Sequence, residues 1–291
     1  MNAWTEWPAP AKLNLFLHIV GRRSDGYHLL QTVFQLLDWG DSVRLRLRAD
    51  GRVDRLTPLA GVAPEDDLCA RAARLLQREA GQATPGIDID LVKRVPMGGG
   101  LGGGSSDAAT VLVALNALWR LGYDDDRLAG LGLALGADVP VFVRGHSAWA
   151  EGVGEKLTPI DLPEAWYVLV DPRVHVPTGA LFQAPELTRD APPLTIPRFL
   201  SGAETTNAFE PVARARHPEV AAALDWLAGF GRARLSGSGG CVFVAAASRQ
   251  EADRIAAGCP GGFTAWVVRG LNRSPLHEVR DRFIAGASPS R

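Results

Sequence analysis

Cysteine is scarce in this sequence. Cys69, Cys241 and Cys259 are odd in number and far apart, which argues against a disulfide framework and against a paired-cysteine metal site. An excess of one charge is also missing: 31 basic side chains face 32 acidic ones, so nothing electrostatic favours nucleic acid or an anionic membrane as partner. No apolar run has the length of a membrane-spanning helix. The N-terminus lacks the basic region and apolar stretch of a secretory signal. Internal repeats and low-complexity tracts are absent. The expectation is a cytoplasmic chain with reduced cysteines and neither nucleic-acid nor membrane partners. Its 291 residues suit one large domain or two ordinary ones.

Glycine, by contrast, is concentrated in one place. Pro96-Met97-Gly98-Gly99-Gly100-Leu101-Gly102-Gly103-Gly104-Ser105-Ser106-Asp107 holds six glycines in seven positions. Before it, residues 87–92 alternate as a half-buried strand does, and after it residues 108–121 carry apolar side chains at helical spacing. Successive backbone N–H groups in such a run can turn inward and make a concave anion site. The following helix adds unpaired N–H groups and the positive end of its dipole. Ser105, Ser106 and Asp107 are good N-cap residues. A flexible linker is the bland alternative, but linkers seldom join a clean strand to a clean helix. The segment reads as a phosphate loop. It lacks the lysine of the Walker pattern, and although it satisfies a dinucleotide G-x-G-x-x-G with Asp124 downstream, a run this rich in glycine does so by chance.

Elsewhere, residues 10–20 read as a strand with Lys12, Asn14, Phe16 and His18 on one face, His18 in a structural role. Residues 29–38 and 43–48 read as two further strands, and 66–80 as an amphipathic helix. Asp124-Asp125-Asp126 reads as a solvated cap. The apolar run 137–143 is expected to be a strand containing Asp138, and 145–155 a turn. Lys93 and Arg94 have two equal readings, nucleotide contact or solvated charge. Ten prolines between Pro159 and Pro218 mark a change of composition. Domains are therefore expected at 1–156 and 157–291. A second glycine cluster, Ser236 to Gly240, leads into a strand and by itself reads as a hairpin turn.

The segment Pro96–Ser106 resembles the central phosphate motif of the GHMP kinases, small-molecule kinases named for galactose, homoserine, mevalonate and phosphomevalonate. Lys12 beside Asn14, the Gly136-Ala137-Asp138-Val139-Pro140 segment, the second glycine cluster and residues 270–277 resemble further segments of that family in the same order. The resemblance implies an α+β fold in two lobes, ribosomal-S5-like then ferredoxin-like, with the active site between them. It implies ATP, with Mg²⁺ carried on it, cradled by Pro96, Met97, Gly98, Gly99, Gly100, Leu101, Gly102, Gly103, Gly104, Ser105 and Ser106. Lys12 and Asp138 become the catalytic pair and Asn14 a substrate contact. Asp25-Gly26-Tyr27-His28 resembles the cytosine clamp of the branch that phosphorylates a cytidyl diphosphate-linked methylerythritol for non-mevalonate isoprenoid synthesis. There Tyr27 stacks on the base, backbone at His28 reads its edge, and Phe182 supplies a second aromatic. The chain has Asp67-Leu68 where the family often has Asn-Leu near the adenine. Another GHMP kinase, such as one for homoserine, would share the loop and pair but not the clamp. A non-catalytic nucleotide-binding module would keep the loop alone. A monomer or weak homodimer is expected.

Overall fold

The computed structural model describes residues 3–81 and 84–286. It opens on two long antiparallel strands, β1 (Thr5–Arg22) and β2 (His28–Arg48). The two stretches expected within 29–48 are one strand, because pairing to β1 continues through Gly40. The register of β1 shifts between Pro10 and Lys12 and again between Asn14 and Leu17. Such bulges re-aim side chains, and here they flank Lys12 and Asn14.

β3 (Val53–Arg55), α1 (Leu68–Ala80) and β4 (Gly86–Val92) follow. Asp67 caps α1 by accepting the Ala70 N–H, and Gly81 ends it in the left-handed conformation. Then come α2 (Gly103–Leu118), α3 (Asp125–Leu133), α4 (Val139–Arg144), β5 (Ala148–Glu151) and β6 (Lys156–Pro159). Asp124 caps α3, while Asp125 and Asp126 pair with Arg280 and Arg144. The acidic run is thus a cap, as its composition suggests.

Two elements differ from the expectation. The run 137–143 holds a short helix, α4, not a strand. Pro140 sits in its first turn, Gly145 closes it, and Val139, Val141, Phe142 and Val143 are all buried. Burial on every side overrides the strand preference of β-branched residues. Residues 145–155 contain β5, which pairs with β2 and β6.

The remainder runs β7 (Trp166–Asp171), α5 (Thr178–Phe182), α6 (Ile196–Leu200), α7 (Glu210–Arg216), α8 (Pro218–Ala228), β8 (Arg234–Leu235), β9 (Val242–Ala246), α9 (Arg249–Ala257), β10 (Thr264–Leu271) and α10 (Pro275–Ile284). β10 pairs with both β7 and β2, so the strands run β3-β4-β2-β10-β7-β9-β8 in one sheet. One apolar core gathers α1, α2 and α4 over β1, β2 and β4. A second gathers α7, α8 and α9 over β7 and β9. α2 is apolar nearly all round and buried accordingly. The seam between the cores brings together Lys12, the glycine loop and residues 236–240.

Candidate active site

Between β4 and α2, Gly98, Gly100 and Gly102 have φ of +74°, +78° and +71°. They alternate with Gly99 and Leu101, the arrangement that turns neighbouring N–H groups into one concavity. α2 starts five residues earlier than its apolar pattern suggests. Its N-cap is Gly102, with no side-chain cap bond, so the first N–H groups of the helix lack intrahelical partners. Ser105, Ser106 and Asp107 therefore lie in the first turns of the helix and do not cap it. The loop is fixed from behind. Lys12 N–H donates to the Leu101 carbonyl at 3.0 Å, and Ser106 Oγ donates to the Pro10 carbonyl at 2.7 Å. Ser106 is fully buried and turned away from the cleft, which leaves Ser105 as the hydroxyl on its wall.

The second glycine cluster is both a hairpin turn, joining β8 to β9, and a loop folded back on the first. Gly240 and Cys241 N–H donate to the carbonyls of Gly98 and Gly99 at 3.2 and 3.1 Å. Ser236 Oγ donates to the Gly100 carbonyl at 3.1 Å. Asn207 holds the turn from the other side through the Gly237 carbonyl.

Lys12 is 3% exposed. Its Nζ donates to Asn14 Oδ1 at 2.5 Å and to the Gly100 carbonyl at 2.8 Å, and lies 3.3 Å from Asp138 Oδ2. Asp138 is one-third exposed, and its side chain makes no cap bond to α4. Its carboxylate therefore faces the cleft with a buried cation behind it. Asn14 lines the same cleft, but its amide is engaged at both ends, accepting from Lys12 and donating to Thr32 Oγ1 at 2.9 Å.

Two cavities of about 330 Å³ each meet at this point. One runs along Pro96–Ser105 toward Asp67, Leu68 and Cys69. The other holds Lys12, Asn14 and Asp138 and reaches Phe182 and Phe209. Gly100, Gly102 and Ser105 line both. The start of α2 and Asp138 thus border adjoining space. At the far end the His28 ring lies 5.1 Å from Phe182 at 32°, while Tyr27 stands 65% exposed in its turn. Met97 is at the rim, 54% exposed.

This arrangement has known counterparts. Residues 67–146 match the model of the GHMP kinases N terminal domain, and residues 194–262 that of the GHMP kinases C terminal. The chain belongs to the GHMP kinases. It is 63% identical over 280 residues to a 4-diphosphocytidyl-2-C-methyl-D-erythritol kinase of Xanthomonas campestris pv. campestris, covering 96% of this chain and 95% of the relative. It is 58% identical over 280 residues to the protein of that name from Halorhodospira halophila, covering 95% and 96%. A crystal structure of 4-(cytidine 5'-diphospho)-2C-methyl-D-erythritol kinase superposes with a TM-score of 0.81 at 36% identity, covering 91% of this chain and 99% of that one. The two-lobed α+β architecture is that of GHMP kinases, and the chain is a small-molecule kinase.

This GHMP kinase also carries a buried cluster beneath its phosphate loop. Lys93 Nζ bridges Asp41 at 2.5 Å and Asp107 at 2.8 Å. Asp41 further accepts the N–H groups of Arg94 and Val95. Lys93 is thus tied to carboxylates, and it also lines the cavity along the glycine loop. Asp107 Oδ1 is buried without a partner. Burial pushes the Asp107 carboxyl up to about 7, against the pull of Lys93 and with the nearby Asp41 adding to it. Burial alone would lower Lys93, but Asp107 and Asp41 outweigh it and raise it.

An unfolded aspartate titrates near ~3.9. Between about 4 and 7 the unfolded chain has lost this proton while the folded one retains it, so stability falls as pH rises through that window. Asp107→Asn keeps the shape and removes the titration. Urea unfolding at pH 5 and pH 8 is expected to show the variant gaining on the parent at the higher pH, by up to about 1.4 kcal/mol per pH unit crossed. Parallel pH profiles would remove Asp107 as the source. No sequence pattern marks Asp41, and Asp107 is marked only as a helix-cap candidate, since positions 41, 93 and 107 meet only through the fold.

Proposed function

We propose that this kinase transfers the γ-phosphoryl group of ATP to the 2-hydroxyl of 4-diphosphocytidyl-2-C-methyl-D-erythritol, a step of non-mevalonate isoprenoid precursor synthesis. The observation that carries it is the paired cavity, with the glycine loop on one side, Lys12 and Asp138 on the other, and Phe182, with His28 packed on it, at the far end. The names of the relatives support the same substrate. ATP fits the nucleotide side: alternating left-handed glycines and the unpaired N–H groups of α2 suit a triphosphate.

Mg²⁺ would ride on the phosphate oxygens and offset their charge in the transition state. Ser105 is the hydroxyl facing that position, and among the described residues no three His, Cys, Asp or Glu converge as a metal site. Asp138 accepts the proton of the substrate hydroxyl or holds that hydroxyl in line. Lys12 fixes Asp138 and offsets charge on the transferred group. Tyr27, His28 and Phe182 hold the cytosine. The first lobe closes with the β5–β6 hairpin, so the lobes divide just past Pro159 and not at 156/157, and the enzyme works in the cytoplasm as a monomer or weak homodimer.

The test is turnover with ATP and Mg²⁺ on the cytidyl substrate, homoserine and mevalonate in parallel, following ADP release. Turnover is expected on the cytidyl compound alone. Turnover on homoserine or mevalonate would keep the fold and pair but discard the cytosine slot. ATP binding without turnover on any of the three would favour a binding module.

A further inference from the structure

Arg189 lies in the irregular segment after α5 and spends its guanidinium on neutral acceptors. Its Nη2 donates to the carbonyls of Phe182 at 3.1 Å and Ala184 at 2.7 Å, and its Nη1 to that of Leu187 at 2.8 Å. Its Nε donates to His28 Nε2 at 3.2 Å. Glu186, close by in the chain, is taken by Arg216 at 2.7 Å. Arginine has donors only and stays protonated. A ring nitrogen that receives Nε–H must carry a lone pair, so the proton of His28 is on Nδ1.

The contact spans the molecule. His28 begins β2, in the N-terminal half, whereas Phe182 ends α5, in the other. The His28 ring packs on Phe182, and Phe182 packs edge-on against Phe209, with ring centres 4.7 Å apart at 76°. Phe209 is completely buried, so the stack rests on a fixed base. One guanidinium therefore ties the His28 ring and the Phe182 backbone together as one aromatic face.

We propose that Arg189 is a positioning residue for the pyrimidine end of the substrate: it locks His28 as the neutral Nδ1–H tautomer against Phe182 and so fixes the aromatic face on which the pyrimidine rests. This rests on the cytidyl reading given above. Burial, then Arg189 and then Arg22, hold the His28 imidazole below its ordinary value, consistent with a neutral ring. Arg22 itself is turned to the Gly26 carbonyl, and Asp25 of the same turn is paired with Arg23.

The experiment combines kinetics with nitrogen NMR of ¹⁵N-histidine-labelled protein, on the parent, Arg189→Met and the conservative Arg189→Lys. The parent His28 is expected to show the Nδ1–H pattern, and Arg189→Met a mixture of tautomers. KM for the cytidyl substrate should rise about tenfold or more, with KM for ATP and saturated kcat within about twofold. An Nε2–H pattern in the parent would overturn the proposal. So would an unchanged cytidyl KM in both variants, or KM for both substrates rising together. Failure of the parent to turn over the cytidyl substrate would instead overturn the substrate reading, and the tautomer pattern would still decide whether Arg189 holds His28.

Discussion

Asp138→Asn is expected to lower kcat by about 10²–10⁴-fold, the usual contribution of a positioned proton acceptor. The Kd for ATP should stay within about twofold, because Asp138 lies in the cavity beyond the glycine loop. The variant is a clean probe of the chemistry. Asp138 is one-third exposed and its side chain does not cap α4, so the amide disturbs no helix cap and leaves the Lys12 ammonium held by Asn14 and the Gly100 carbonyl. Lys12→Ala is less clean. Lys12 is buried and bonded to Asn14 and to the Gly100 carbonyl, so its removal strips a donor from the phosphate loop as well. Rapid-quench measurement of the first turnover, with ATP binding measured separately, distinguishes the two. Retention of most of kcat in Asp138→Asn would assign the chemistry to Lys12 and the loop alone.

Gly239→Ala is the second large effect. A Cβ at this position would lie 2.0 Å from the Gly100 nitrogen and 2.2 Å from the Gly99 carbonyl carbon. These are backbone atoms of the phosphate loop and have no rotamer in which to retreat. The two glycine segments must separate, breaking the contacts of Gly240 and Cys241 to Gly98 and Gly99. The expected cost is about 3 kcal/mol, the upper range for an overpacked site, seen as a thermal midpoint lower by several degrees. kcat/KM for both substrates should fall with it. Gly130→Ala is the control. It is an exposed position of helix α3, where a Cβ meets nothing within 4 Å, and the change should be neutral or stabilise by up to about 1 kcal/mol. Equal behaviour of the two variants would show that the glycine segments are not interlocked in solution.

The parts of this molecule legible in its sequence are those written within short stretches. The glycine run announces itself by residue type and spacing, while Lys12 with Asn14 two residues on, and Asp138 in its Gly-Ala-Asp-Val-Pro segment, are marked by their resemblance to segments of the GHMP kinases. Helix α1 was equally readable, with a polar cap before it and glycine after it. Legibility fails where the fold decides. The Val-Pro-Val-Phe-Val run has the composition of a strand, and only burial on all sides makes it α4. Ser105 and Ser106 are alike in sequence, yet the helix turns one to the cleft and the other to Pro10. Arg189 lies in a proline-rich stretch without periodicity, and its partner His28 is 161 positions away.

The strand order has a consequence for how the enzyme comes into being. β2 and β10 are neighbours in the sheet, and Gln35 bonds the Leu271 carbonyl across 236 positions of chain. Contacts this distant must wait for loop closure, so folding is expected to be slow for the size of the chain. During synthesis the phosphate loop emerges long before the turn that buttresses it. The nascent N-terminal half then presents glycines without their partner and β2 without β10. Phosphoryl transfer is thus acquired late, when the last strand has left the ribosome and closed against the first pair.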